Sequence, residues 1–349
     1  MQSSLKDHSL PSEQAEKIKQ LLGCQHLQLH AKQGGGNSVV LCVEADGERW
    51  AIKSYPPYAP NQRDRLAAEL MAYQFLNQHA VPAVPFVKTH CEKERWLVMS
   101  WIEGAVPQNY SADDVTQAIQ FISSVANLNA LPSALSLPQA AEACVSLSIL
   151  FNQITQRFQR LQAVAEEDSI LKDFLEQDFY PVFKDFQQRA SAGYAEKSID
   201  PDAELPLHQR SLIPADFGFH NTIRDTAGQL YFFDFDYFGW DDPVKLLADI
   251  LWHPKMQLSV LQKEQFIQGL SMVYQADPLF LSRFYYTWPL FGLRWVLILL
   301  NEFIPAFWSN RQHADVYQDQ EKAKKIQLKR AKDLLINVQQ IGCPYEISR

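Results

Sequence analysis

The 349-residue chain has no CxxC pair, no Walker phosphate-loop sequence, no internal repeat and no low-complexity segment. Its five cysteines (Cys24, Cys42, Cys91, Cys144 and Cys343) are odd in number and far apart. That pattern fits reduced thiols in a cytoplasmic protein and not a disulfide framework. The N-terminal stretch "MQSSLKDHSLPSEQAEKIKQ" lacks an apolar core, so no signal peptide is expected. Long apolar runs are missing too. The greasiest stretch, "WPLFGLRWVLILLNEFIPAFW", is broken by Arg294, and Leu297 to Leu300 is too short to span a bilayer. It reads as a buried helix, with no membrane partner. The missing Walker sequence argues against a P-loop enzyme. A formal net charge of -8 argues against a nucleic-acid partner. The acidity is uneven: residues 1–101 hold 11 Lys/Arg and 10 Asp/Glu, and residues 102–349 hold 21 and 30. This fits a solvated surface, or a site that attracts metal ions or a basic substrate.

What is present is ordinary globular composition, 47% hydrophobic and 21% charged, in a length that suits two lobes. "EQAEKIKQLLG" predicts a short helix capped by Ser12 and ended by Gly23. Three strand-like pieces follow, "HLQLHA", "SVVLCVEA" and "RWAIKSY", the last two joined by the hairpin signal Asp46-Gly47. A helix is predicted from about residue 62 to 78, then a break at "VPAVPF" and another strand in "RWLVMSWI". The first lobe therefore spans 1–101 as a small antiparallel sheet with one long helix. The rest, 102–349, reads as mostly helical. Within it "SAGYAEKSIDPDAELPLHQ" reads as a surface loop and "LYFFDFDYFG" as a strand.

The candidate chemistry begins at "QGGGNS", between the first two strands. Gly34, Gly35 and Gly36, with Asn37 and Ser38, permit a tight turn whose free amides could face an anion; a plain hairpin reads the same way. Lys53 follows in the apolar strand "WAIKSY", where a buried ammonium needs a partner. Glu69, on the next helix, can supply it. A strand lysine paired with a helix glutamate is how kinases hold the α- and β-phosphates; the alternative is a surface lysine.

"IPADFGFHNTI" spells Asp-Phe-Gly at 216–218, the letters of a kinase metal motif. The spacing says otherwise. Asn221 stands five residues after Asp216, as in the HRDxxxxN catalytic loop, and Asp234 comes thirteen residues later among Tyr231, Phe232 and Phe233. A carboxylate there requires a metal or a strong partner. Asp216 is thus the candidate catalytic base. Asn221, Asp234 and Asp236, two positions on and on the same strand face, are the candidate metal ligands. The alternative is a turn shaped by Asp216 and Asn221, with Asp234 paired to an arginine. Tyr237, Phe238 and Trp240 could wall a pocket or simply pack in the core. Only seven residues separate Asp234 from Asp242-Pro243, and no Ala-Pro-Glu occurs, so there is no peptide platform of the protein-kinase kind.

Taken together, "GGGNSVV", Lys53, Glu69, "LVMSWIEG", "ADFGFHN", "FFDFDYFGWDDP" and "LLADIL" resemble the aminoglycoside phosphotransferase and choline kinase-like family, over roughly residues 25 to 300. The resemblance implies an α+β, bilobal, protein-kinase-like fold with ATP between the lobes and Mg²⁺ as cofactor. It implies that Ser100, Trp101 and Ile102 lie beside adenine, that Asp216 accepts the proton of a substrate hydroxyl, and that Asn221 and Asp234 hold Mg²⁺. Asp249 would brace the catalytic loop. The acceptor would be a small molecule: an aminoglycoside, an amino alcohol or a sugar. The alternative is a catalytically silent nucleotide-binding scaffold. The chain departs from the family at Pro214, where a histidine usually stands two residues before the aspartate; His220 is near but does not occupy that place.

Overall fold

The computed structural model describes residues 10–34, 38–58, 63–312 and 319–340. Helix α1 (Ser12–Leu22) ends at Gly23, whose left-handed φ of 67° closes it. Ser12 is its first helical residue and makes no cap, because Pro11 takes the cap position. Three strands follow: β1 (Leu27–Gly34), β2 (Val39–Ala45) and β3 (Glu48–Ser54). Asp46 and Gly47, with φ of 48° and 91°, turn β2 into β3 as their letters predict. Helix α2 (Arg65–Gln78) is capped by Asp64, whose side chain accepts the Ala67 N–H. Then come β4 (Val87–Cys91), absent from the sequence reading, and β5 (Trp96–Ser100). The antiparallel sheet runs β1-β2-β3-β5-β4.

Parity along these strands positions the site. On β5, Trp96 and Val98 join Ile18 of α1, Leu41, Val43 and Ile52 in one small core. Leu97 and Met99 face the other way, into the large core shared with α2 and the helical lobe. β5 is covered on both faces, which is why it reads as an unbroken apolar run. Lys53 follows Ile52 and pairs with Leu97, so the same alternation sends it toward α2. Along α2, Leu66, Glu69, Tyr73 and Leu76 form one buried stripe at helical spacing, and Glu69 is its acidic member.

The helical region holds α3 (Ala112–Ala126), α4 (Leu147–Ala165), the short α5 (Ser169–Asp173) and α6 (Tyr180–Glu196). Residues 191–196 belong to α6 and not to a loop. Gly193 packs against Tyr286 so closely that an added Cβ would lie 2.2 Å from its ring, and Tyr194 is buried, so packing holds this last turn helical. Two small two-stranded sheets follow. β6 (Ser211–Ile213) pairs with β9 (Gly239–Asp241), and β7 (Thr222–Arg224) with β8 (Leu230–Phe232). The chain closes with α7 (Pro243–Trp252), α8 (Val260–Val273), α9 (Phe280–Leu299), α10 (Pro305–Gln312) and α11 (Gln320–Gln340). Most of the greasy stretch lies in α9, and Arg294 is tolerated there because both Asp249 oxygens bond its Nη2, at 2.7 and 2.8 Å. Among the described residues no helix is long and apolar enough to cross a membrane.

Arg283 of α9 ties the helical region together. Its guanidinium reaches Asp242 at 3.0 and 3.1 Å and Asp277 at 2.6 Å, and all three residues are buried. Arg283→Met should leave two buried carboxylates without their cation and cost about 3–5 kcal/mol of stability. Denaturant unfolding measures this; a loss under about 1 kcal/mol would show that water reaches the carboxylates.

Candidate active site

Lys53 Nζ lies 2.6 Å from Glu69 Oε2 and 2.6 Å from Asp234 Oδ1, joining β3, α2 and the segment after β8 in one ion cluster. Tyr55 donates its hydroxyl to the same Glu69 oxygen. Lys53 and Glu69 are 6% and 0% exposed, so neither charge is solvated. Burial pulls the Lys53 ammonium down, but Glu69 and then Asp234 more than offset it, and the lysine stays charged. Burial pushes the Glu69 carboxyl above its usual range despite Lys53. Burial also pushes Asp234 up, yet the Lys53 charge and hydrogen bond outweigh it and hold Asp234 low, as an anion.

Two loops bring the remaining residues to this cluster. The first, 214–221, runs from β6 to β7; the second, 233–238, runs from β8 to β9. Thr222 pairs with Phe232, and the Phe233 N–H donates to the Asn221 carbonyl at 3.2 Å, so Asn221 stands beside the turn into Asp234. Asn221 Nδ2 donates to the Asp216 carbonyl at 3.0 Å, which leaves its side-chain oxygen facing away. Asp216 and Asp234 hold left-handed φ values of 60° and 70°. Such conformations cost about 1–3 kcal/mol each and persist where the surroundings over-determine them, often at functional sites. Asp216 is the exposed member, its side chain 44% accessible; Asp234 is 36% accessible.

The structure corrects the reading of Asp234 and Asp236 as neighbours on one strand face. β8 ends at Phe232, and the left-handed turn at Asp234 breaks the alternation. Asp236 is 5% exposed and pairs with Arg65 Nη1 at 3.4 Å. Burial, then the nearby Asp234 and Glu69 carboxylates, push it up to about 7. Trp240 and Phe238 are buried core, and Tyr237 receives the Arg65 N–H at 3.2 Å.

Of the other predicted residues, Gly34 ends β1 opposite Val39, and Ser38 opens the way into β2. Gly35, Gly36 and Asn37 lie outside the described residues. Ser100 pairs with Trp50 at the end of β5, and Trp101 and Ile102 follow it out of the sheet. Lys53 is three strand positions from Trp50, about 10 Å. The Ser100 hydroxyl is occupied, accepting the Phe86 N–H at 2.9 Å. Asp249 bonds Arg294 and Trp295 and lies 3.5 Å from Lys245; it makes no hydrogen bond to residues 214–221. Sequence reasoning missed Tyr55, Arg65 and His253, whose Nε2 lies 3.7 Å from Asp216 Oδ1. Tyr55 sits two positions beyond Lys53 on the same strand parity, a signal that was available; nothing local marks the other two.

Lys53, Glu69 and Asp234 thus meet in one cluster, next to the D-x₄-N loop of Asp216 and Asn221. A family model described as the phosphotransferase enzyme family matches residues 30–281. The chain belongs to that family. The phosphotransferase fold extends over nearly its whole length. A spectinomycin phosphotransferase solved with ADP and spectinomycin is 14% identical, with a TM-score of 0.55 over 94% of this chain and 98% of that one. The choline kinase LicA from Streptococcus pneumoniae is 13% identical, with a TM-score of 0.54 over 93% and 98%. An ethanolamine kinase from Plasmodium vivax is 13% identical, with a TM-score of 0.52 over 89% and 83%. At such identities the likeness is one of fold, the bilobal kinase-like architecture that the sequence predicts. No curated protein matches the chain in sequence.

Proposed function

We propose that this phosphotransferase is an ATP-dependent kinase of a small hydroxyl-bearing molecule. In this reading residues 1–101 cover the nucleotide and 102–349 carry the chemistry and the acceptor pocket. The observation that carries it is the Lys53–Glu69–Asp234 cluster, two carboxylates on one buried ammonium beside a loop that presents Asp216. A purely structural core has no need of so costly an arrangement, since apolar residues of similar size are often as stable.

The residues fit Mg·ATP. Asp234 is anionic and half exposed, the Asn221 side-chain oxygen is not used within the described residues, and both are the hard oxygen donors that Mg²⁺ takes. When bound, Mg²⁺ neutralises phosphate charge. Lys53, kept protonated and aimed by Glu69, would bind phosphate oxygens. Asp216, exposed and beside Asn221, would orient the acceptor hydroxyl and take its proton. The glycine-rich sequence at 34–36 would cover the phosphates, with Ser100, Trp101 and Ile102 beside the base. Asp236, paired with Arg65, would support the Asp234 turn from behind. The seven residues between Asp234 and Asp242 leave no peptide platform, which favours a small acceptor such as an aminoglycoside, amino alcohol or sugar. In this reading the protein works in the cytoplasm, where ATP is supplied.

The test is ADP release from Mg·ATP against a panel of those three acceptor classes. Acceptor-dependent release supports the reading; nucleotide binding without turnover on any acceptor or on water would point to a silent scaffold. Asp234→Asn should raise the Mg²⁺ needed for half-maximal rate about tenfold or more. An unchanged Mg²⁺ curve would remove Asp234 from the metal site.

A further inference from the structure

The Asp216 carboxylate accepts no hydrogen bond from any described residue, yet two imidazole nitrogens wait beside it. His220 Nε2 and His253 Nε2 each lie 3.7 Å from its Oδ1. The two rings stack, 4.1 Å between centroids and 6° from parallel. His220 comes from the same loop, but His253 follows the last residue of α7, 37 positions after Asp216. Its ring is fixed on both sides. Nδ1 accepts the Lys255 N–H at 3.2 Å, and Trp295 packs edge-on at 4.6 Å. Trp295 in turn donates to Asp249 at 2.9 Å, and Asp249 is held by Arg294.

An imidazole whose Nδ1 accepts a hydrogen bond carries its proton on Nε2 when neutral. Burial, then His220 and Lys255, keep the His253 ring neutral. The nitrogen facing Asp216 is therefore a donor. Three side chains so close could also suggest a metal ion, since their ligand atoms lie within 4.8 Å of one another. The geometry argues against it. A donor N–H has no lone pair for a metal. Parallel stacked rings also send their nitrogens out side by side, whereas a tetrahedral centre needs them to converge at about 2.0–2.1 Å.

We propose that His253 is a positioning residue for Asp216: its Nε2–H, fixed by Lys255 and Trp295, selects the carboxylate orientation, with His220 stacked against it to hold the ring plane. Pro214 offers no side-chain donor two residues before Asp216, and this one comes from the end of α7. Asp249 then supports the loop indirectly, through Trp295 and His253. A movement of under 1 Å brings 3.7 Å into hydrogen-bond range, the kind of tightening that accompanies substrate binding.

This inference rests on Asp216 being the base, and the experiment separates the two. Turnover is measured with whichever acceptor the panel yields, or with water, for the parent chain and for Asp216→Ala, His253→Phe and His253→Gln. His253→Phe keeps an aromatic ring in the stack but removes the donor; it should lower kcat about 10²-fold with the KM for ATP unchanged. His253→Gln restores an N–H near the same place and should recover most of that loss. If Asp216→Ala is inactive while His253→Phe turns over like the parent, the positioning role is overturned and the base assignment stands. If Asp216→Ala is itself active, the base assignment fails. The nitrogen NMR spectrum of the histidines in the parent chain gives an answer independent of any variant's folding. It should show His253 protonated on Nε2, with that resonance displaced in Asp216→Asn. A ring protonated on Nδ1, or one equivalent of Zn²⁺ bound through both histidines, would overturn the proposal.

Discussion

Replacing Asp216 with alanine should abolish turnover and leave Mg·ATP bound nearly as tightly as before. The carboxylate is half exposed and touches neither Lys53 nor Glu69, and Asn221 donates to the backbone carbonyl of Asp216 and not to its side chain. Nothing that would grip the nucleotide therefore depends on its side chain. What is lost is the group that takes the acceptor proton, and a positioned general base contributes about 10²–10⁴-fold. Calorimetric titration with Mg·ATP and a coupled ADP assay on one preparation read both quantities. Turnover at the parent rate would sink the base assignment; loss of nucleotide binding in step with turnover would show the loop to be structurally tied to the cleft.

Lys53→Ala should behave in the opposite way, losing nucleotide affinity and fold stability together. Its ammonium is the partner of two carboxylates at 2.6 Å, one of them fully buried. Removing it strands Glu69, whose Oε1 already lacks a partner and whose remaining neighbour is the Tyr55 hydroxyl. Breaking a buried pair from one side costs about 3–5 kcal/mol. The pH dependence follows from the sign of the Glu69 shift. Burial raises its folded-state value, so the folded form binds the proton more tightly than the unfolded chain does. Stability must then recover as pH falls toward the ordinary glutamate range, because a protonated Glu69 no longer needs a cation. Denaturation midpoints at pH 8 and pH 5 should show the deficit shrinking at the lower value. A deficit independent of pH would mean that the loss is one of packing.

Much of the first lobe was legible because its signals are local. Asp46-Gly47 demands left-handed backbone, Gly23 stops α1, and a lysine after Trp-Ala-Ile has one physical use for an acidic residue on the next helix. β4 was missed because Val87–Cys91 is short, mostly half-buried and follows two prolines, so its strand character comes from pairing with β5. The end of α6 was misread because Gly193 and Ser191 look like loop, and only the Tyr286 contact makes them helix. Asp236 was placed on the wrong face because nothing local announces the left-handed turn at Asp234.

The sequence by itself determined a small sheet with one long helix ahead of a mostly helical region, the Lys53–Glu69 pairing and the spacing that sets Asp216 apart from Asp234, while the kinase-like class came from its resemblance to a known family. Periodicity, turn chemistry and the cost of burying a charge all act within a few residues of where they are written. Only the tertiary structure decided that Asp234 closes the cluster on Lys53, that Asp236 turns to Arg65, and that His253, from the end of α7, joins His220 beside Asp216. Those contacts join segments 37 to 181 positions apart. Which of many compatible partners meet at such separations is settled by how the helices and sheets pack around one core.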